Sequence, residues 1–326
     1  MASSDVTPKL IGIAKLAAES FSLEEKRRVD YRELVTRNFL ARCDSPRMPF
    51  RWMINPYRGC EFGCKYCYAR YTHEFMELRD PQDFERRIFV KRFDPAAFRA
   101  ELRKLRVGET IAIGTATDPY QPAERRFGVT RAILEALAKT SGFRIGLVTK
   151  SDLIARDIPL FQEIAQRHYL TLVSTITTLD PDLARRLEPL APRPDLRVAT
   201  VRKLASAGLR VVINVAPILP LLNDSDPSID AVAKAASRAG AIGLNGNVVY
   251  LKDCAKKVFF PFLESQYPHL VRRYRERFDR DAFLHGSYPE TIRERVRRIR
   301  KRYGLGGGDQ PQPEFWPEDT QMKLFL

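Results

Sequence analysis

The sequence predicts an α/β protein made of parallel βαβ units, a full or partial β/α barrel of about six units. Three observations predict it. Five runs of strand length are rich in Val, Ile, Leu and Thr: "TIAIGTAT" (110–117), "FRIGLVTK" (143–150), "YLTLVSTITT" (169–178), "LRVVINVAP" (209–217) and "AIGLNGNVVYL" (241–251). Amphipathic segments of helix length lie between them, such as "VTRAILEALAKT" (129–140), "DIPLFQEIAQRH" (157–168), "PDLRVATVRKLASAG" (194–208) and "SIDAVAKAASRAG" (228–240). Beyond residue 252 the strands stop and basic helical patterns follow. Near-continuous apolar strands alternating with helices are the mark of a parallel sheet covered by helices.

Residues 1–44 read as an N-terminal extension. They open with "MASSDVTPKLIGIAKLAAES", whose short apolar patch is broken by Lys15 and lacks a basic leader. The expectation is a cytoplasmic start and not a signal peptide. No apolar run reaches the roughly 18 residues of a membrane span, so no membrane partner is expected. Residues 45–252 carry the predicted barrel, with a further strand expected just before Cys60. Chemistry in a barrel gathers at the C-terminal strand ends. Polar residues fall at those places: Thr117 and Asp118, Thr149 to Ser151, Thr177 and Thr178, and Asn214.

Residues 253–304 form a basic helical extension, in which Ile292, Val296, Ile299 and Tyr303 keep helical spacing. Residues 305–326 begin with glycines, continue with prolines and end "QMKLFL", a linker-like tail. The 326 residues carry 55 Lys and Arg against 40 Asp and Glu, a formal charge of +15. Two readings follow: a polyanionic partner contacted by guanidinium groups, or a solvated basic surface. Arg272, Arg273, Arg275, Arg293, Arg297, Arg298 and Arg300 are the phosphate-contact candidates, and Glu276, Glu290 and Glu294 would partly neutralise them.

Five cysteines, three of them crowded in "NPYRGCEFGCKYCY" (55–68), argue for reduced, ligand-forming thiols and against a disulfide framework. Close thiolates bind zinc or iron–sulfur. Zinc needs a fourth ligand, for which His73 is the nearest candidate. A helix face would also explain positions 60, 64 and 67, but Gly59 and Gly63 favour a loop. Iron–sulfur is the favoured reading: a cube held by three cysteines leaves one iron open to an outside ligand.

Cys60-x3-Cys64-x2-Cys67, with Tyr66 before the last cysteine, resembles the motif of the radical S-adenosylmethionine (SAM) superfamily. With "GTATDPYQPAE" (114–124), "LVTKS" (147–151) and "APILPLLND" (216–224), the chain over about residues 45–305 is similar to the branch that includes spore photoproduct lyase. The resemblance implies a partial (β/α)6 barrel of the radical SAM type with the helical extension at its C-terminus. It implies a 4Fe-4S cluster on Cys60, Cys64 and Cys67, with SAM chelating the open iron. One electron, from a donor such as flavodoxin or ferredoxin, then cleaves SAM to methionine and a 5′-deoxyadenosyl radical that abstracts a hydrogen atom. By the same resemblance Thr115, Thr117 and Asp118 are candidates for the SAM amino group, although no Gly-Gly-Glu stands there. Thr149, Lys150 and Ser151 are candidates for its carboxylate or ribose, and Asn214, with Pro217, for adenine. Cys254 is a candidate hydrogen donor, against the plain reading of a small buried residue.

The expected activity is lyase or repair chemistry on DNA. The alternatives are the same machinery acting on a protein or small metabolite, and a zinc-stabilised nucleic-acid-binding module without catalysis. Gln321, Met322, Leu324 and Phe325 resemble the bacterial sliding-clamp-binding peptide, which would tether the enzyme near DNA.

Overall fold

The computed structural model describes residues 10–20, 22–26, 29–45 and 48–307. Gln321, Met322, Leu324 and Phe325 lie outside the described residues. In chain order the strands are β1 Ser22–Lys26, β2 Val29–Leu34, β3 Leu40–Arg42, β4 Trp52–Ile54, β5 Tyr57–Arg58 and β6 Arg87–Lys91. Then follow β7 Thr110–Ile113, β8 Arg144–Thr149, β9 Tyr169–Thr175, β10 Val211–Ile218 and β11 Gly243–Val248. The large sheet runs β11-β10-β9-β8-β7-β4-β3 as an open series. Its strands β4, β7, β8, β9, β10 and β11 are parallel, and β3 is antiparallel to β4. These six parallel strands match the unit count expected from sequence.

Helices Val129–Leu137, Ile158–Ala165, Pro194–Ser206 and Asp226–Arg238 fill the crossovers. Proline stands in the first turn of the last three, where its missing N–H has no partner to lose. The strands alternate. Ile111, Ile145, Leu147, Leu170, Leu172, Val211, Ile213 and Leu244 pack with Ile133, Leu137, Phe161, Ile164, Val201, Leu204 and Val232 into one core. Each such buried side chain contributes about 1.5–3 kcal/mol. Positions of the other parity, including Val148, Val173 and Asn214, remain half-exposed, and Asn245 is exposed. They mark a concave face free of helices, at the C-terminal half of the strands.

One expectation is corrected. The first strand core ends at Ile113, not Thr117: Gly114 turns the chain at φ +88°, and a Cβ there would stand 2.5 Å from Pro119 and 2.7 Å from the Val148 carbonyl. Within the segment read as an N-terminal extension, β2 pairs with β6 in parallel and β3 continues the large sheet. β1, β2, β6 and β5 make a second, four-stranded sheet that sequence patterning did not reveal.

The C-terminal region folds as helices Asp253–Gln266, Val271–Phe278 and Tyr288–Arg302. Ile292, Val296 and Ile299 are buried as their spacing predicts, with Tyr303 half-buried. Phe259, Leu263, Tyr274 and Phe278 join Cys60, Phe62, Cys64, Tyr66 and Leu187 in a second core beneath the cysteine segment. Among the described residues no helix is long and apolar enough to cross a membrane.

Candidate active site

The cysteine segment is a loop, fastened on two sides. At its entry Gly59 adopts φ +83°, and a Cβ would meet the Phe84 and Arg87 carbonyls at 2.8 and 2.9 Å. No other residue fits that approach. The Cys60 amide donates to the Phe84 carbonyl at 2.8 Å. Thr117 Oγ1 and Gln121 Nε2 both donate to the Gly59 carbonyl, at 2.5 and 3.0 Å, while Gln121 Oε1 accepts the Glu61 amide at 3.0 Å. On the other side the Lys65 amide donates to Leu187 O at 2.9 Å and the Leu190 amide to Phe62 O at 3.3 Å. Arg70 holds the Cys64 carbonyl at 3.1 Å.

Cys60 and Cys64 are buried and Cys67 is half-buried. Burial raises all three thiol pKa values: Cys60 well above the ordinary thiol, with Asp118 and Cys64 adding to it, and Cys64 to about 12. The bare site therefore holds thiols, and cationic iron would be needed to stabilise the thiolates. Among the described residues no three His, Cys, Asp or Glu side chains converge as ligands of a single metal ion. His73, the fourth ligand required by the zinc reading, points elsewhere: its Nε2 lies 3.0 Å from the Arg87 carbonyl, and its ring packs between Phe84 and Phe89. A cube has no such need, because each thiolate binds a different iron. Three soft donors on a glycine-bearing loop fit a 4Fe-4S cluster.

Behind the loop lies a buried ionic network. Glu188 is fully enclosed, accepts from the Tyr66 hydroxyl and from Thr177 Oγ1 at 3.2 Å, and is ion-paired with Arg197 at 2.6 Å. Lys150 Nζ stands 4.0 Å away, over the Tyr66 ring. Burial pushes the Glu188 pKa up, but Arg197 and Lys150 outweigh it and the net direction is down. Burial pulls Lys150 down, and Cys64 and Glu188 more than reverse it.

The strand-end residues expected to face SAM divide into two groups. Most are engaged within the protein. Asp118 Oδ1 accepts from Thr149 Oγ1 at 2.6 Å and from the Tyr120 amide at 2.9 Å, and its Oδ2 accepts the Lys150 amide at 2.8 Å. Thr117 holds the cysteine loop, Thr115 Oγ1 meets Asn55 Nδ2 at 3.2 Å, and Ser151 Oγ accepts the Leu153 amide at 3.3 Å. These side chains brace loops against one another, the turn-and-cap role their residue types favour. Two others differ: Asn214 is left half-exposed on the concave face, in register between Thr175 and Asn245, and Lys150 is mostly buried against Glu188 and Tyr66.

Cys254, in the first turn of helix Asp253–Gln266, is brought to the same place. Its Sγ lies 3.9 Å from the Tyr68 carbonyl, one residue beyond Cys67. Tyr68 also begins an aromatic array at the mouth of the concave face. Tyr68 and Tyr71 stack at 6.4 Å, Tyr68 meets Tyr250 at 6.2 Å, and Tyr250 stacks on Phe283 at 4.4 Å. Tyr68 and Phe283 are exposed, and Lys252 Nζ lies 3.8 Å from the centre of the Tyr71 ring. Sequence reading missed Asn55, Gln121, Glu188, Arg197, Asn245, Tyr250 and Phe283. Gln121 had a visible signal, since it stands inside the quoted "GTATDPYQPAE". Glu188 and Arg197 had none, because only folding brings them under Tyr66.

Comparison with known proteins agrees with this geometry. Residues 54–231, more than half of the chain, match the family model of the radical SAM superfamily. The chain belongs to the radical SAM superfamily. An uncharacterized Mycobacterium tuberculosis protein, Rv2578c, is 37% identical over 87% of this chain and 84% of its own length. An uncharacterized Methanocaldococcus jannaschii protein, MJ0683, is 28% identical over 53% of this chain and 62% of its own. Spore photoproduct lyase complexed with a dinucleoside spore photoproduct superposes with a TM-score of 0.64 at 18% identity, covering 85% of this chain and 80% of that one. The same lyase with bound AdoMet and dinucleoside spore photoproduct gives 0.63, over 84% and 80%. This radical SAM protein is therefore an enzyme whose cofactors are a 4Fe-4S cluster and SAM, on a fold shared with the lyase. Together the two cofactors supply reductive SAM cleavage to a hydrogen-abstracting 5′-deoxyadenosyl radical. The chain supplies ligation, orientation and exclusion of water.

Proposed function

We propose that Cys60, Cys64 and Cys67 hold the cluster, that Lys150 and Asn214 face SAM, and that the radical acts on a nucleobase of DNA in lyase or repair chemistry. Thr115, Thr117, Asp118, Thr149 and Ser151 brace the loops that shape the SAM site. Cys254, next to Tyr68 and shielded from solvent, is placed to give a hydrogen atom to a product radical. The observation that carries the substrate reading is the aromatic array of Tyr68, Tyr71, Tyr250 and Phe283, exposed at Tyr68 and Phe283 and half-buried at the others, with the Lys252 ammonium, at the edge of the cysteine loop. Flat faces beside a cation stack bases and hold phosphate. The bound dinucleoside photoproduct of the structural neighbour is consistent with it. The enzyme is read as cytoplasmic, served by an external electron donor; clamp binding by the tail remains a separate proposal, tested by deleting residues 321–326.

Two measurements test the reading. Anaerobic reconstitution followed by dithionite and SAM should yield 5′-deoxyadenosine, and Ala at Cys60, Cys64 or Cys67 should remove most iron and all cleavage. Normal iron in any of the three variants would refute the ligand assignment. Tyr250→Ala and Phe283→Ala should each weaken single-stranded oligonucleotide binding about tenfold, in line with the ~1–3 kcal/mol of one base–aromatic stack. Unchanged binding in both would favour a protein or small-metabolite substrate.

A further inference from the structure

SAM cleavage consumes one electron from outside the chain, and the concave face is taken by SAM and substrate. The electron must enter elsewhere, and the loop has one thin side. The hydrogen bonds Lys65 N to Leu187 O and Leu190 N to Phe62 O lie on either side of Gly63 and Cys64. Gly63 has no side chain, and the nearest atom to its Cβ direction is Pro189 Cγ at 3.7 Å. Pro189 and Leu190 thus lie against the loop at Gly63 and Phe62, next to Cys64 in the chain, and both are exposed, Leu190 by 65%.

The unpaired charge exposed around this apolar spot is mainly cationic. Arg185 and Arg186 are exposed at the C-terminal end of helix Pro181–Leu187, and Lys65 and Arg193 flank the contact. Asp195 is paired with Arg193 at 2.7 Å, and Asp180 and Asp182 stand at the helix's other end. We propose that Pro189 and Leu190, ringed by Lys65, Arg185 and Arg186, form the docking surface for an acidic protein that carries a one-electron group. The inference rests on the cluster assignment of the preceding subsection. In the encounter the donor loses one electron and the cluster gains it; no atom or proton is transferred. A small apolar centre with a cationic rim suits a transient redox contact, in which charge steers association and little area is buried.

The test compares two reductants on the reconstituted enzyme: dithionite, which is small and needs no docking, and a reduced flavodoxin as the acidic probe. The double variant R185E/R186E should cleave SAM with dithionite within about twofold of wild type. With flavodoxin it should be slower by about tenfold at low salt, and the gap should narrow as salt screens the charges. Leu190→Ser should also slow the flavodoxin-driven reaction, with iron content unchanged. Arg297→Glu, on the distant basic helix, should slow neither. Wild-type flavodoxin rates in both R185E/R186E and Leu190→Ser would overturn the proposal. So would equal losses with the two reductants, or an equal loss in Arg297→Glu. A wild-type enzyme that fails to cleave SAM even with dithionite would instead refute the cluster assignment.

Discussion

The ring of His168 is buried, stacked on Phe143 at 5.6 Å, and both of its nitrogens are committed. Nδ1 accepts the Phe143 amide at 3.1 Å, which requires that nitrogen to be unprotonated, so Nε2–H donates to the Leu137 carbonyl at 3.0 Å. Burial accordingly lowers its pKa to about 4. The unfolded chain binds the proton near pH 6.5, so between about 6.5 and 4 it carries more protons than the folded chain. Stability should therefore fall as pH drops through that window and level off below it, by an upper figure of about 3 kcal/mol from this group. Urea unfolding at pH 7, 5.5 and 4.5 measures it. His168→Asn should be less stable at pH 7 yet lose about one proton's worth of slope; an unchanged slope would show that His168 does not set it. A histidine in "IAQRHYL" gives no sign of this role in sequence. The Phe143 partner stands just before β8 and is reached only once β8 and β9 pair.

At the scale of elements, legibility followed the range of the interactions. The parallel strands and crossover helices were readable because apolar alternation and helical spacing are local patterns, and their burial matches them from Ile111 to Ile299. The cysteine motif was readable for the same reason: ligand spacing on one loop needs no tertiary information. What escaped was built from distant pairs. β2 and β6 are joined through Tyr31 and Ile88, over fifty residues apart in the chain, and β5 has only two residues. Thr149 to Ser151 do stand at the end of β8, whereas Thr117 and Asp118 stand in the loop beyond β7. Their partners were not readable, because Asp118 meets Thr149 and Thr117 meets Gly59 only once the loops beyond the strands have packed together. Sequence shows which residues can hydrogen-bond; whether they face a ligand or one another depends on the loops packed against them.

For the whole molecule, a formal charge of +15 was the main sequence argument for a nucleic-acid partner, and the fold redistributes its weight. Several arginines of helix Tyr288–Arg302 are turned onto helix Asp226–Arg238. Arg295 and Arg298 pair with Asp226, and Arg302 pairs with Asp230 at 2.6 Å. Arg293 and Arg297 pair with Glu290 and Glu294 on their own helix, and Arg272 and Arg275 with Glu276 and Glu264. Such exposed pairs contribute at most about 1 kcal/mol each, but they occupy guanidinium groups that phosphate would otherwise meet. Lys252, over the Tyr71 ring beside the aromatic array, is in none of the ion pairs described and, on the proposed reading, is the cation that phosphate would meet. Binding of single-stranded DNA should consequently be salt-dependent through the mouth more than through the helix. Lys252→Gln should reduce the slope of log K against log salt by about 0.7, the release expected for one phosphate contact on a single strand. Arg298→Gln should leave that slope unchanged and lower the unfolding midpoint slightly. Fluorescence-anisotropy titrations of the two variants across a salt series decide the matter. If Arg298→Gln changes the slope and Lys252→Gln does not, phosphate is held by the basic helix and not beside the aromatic array.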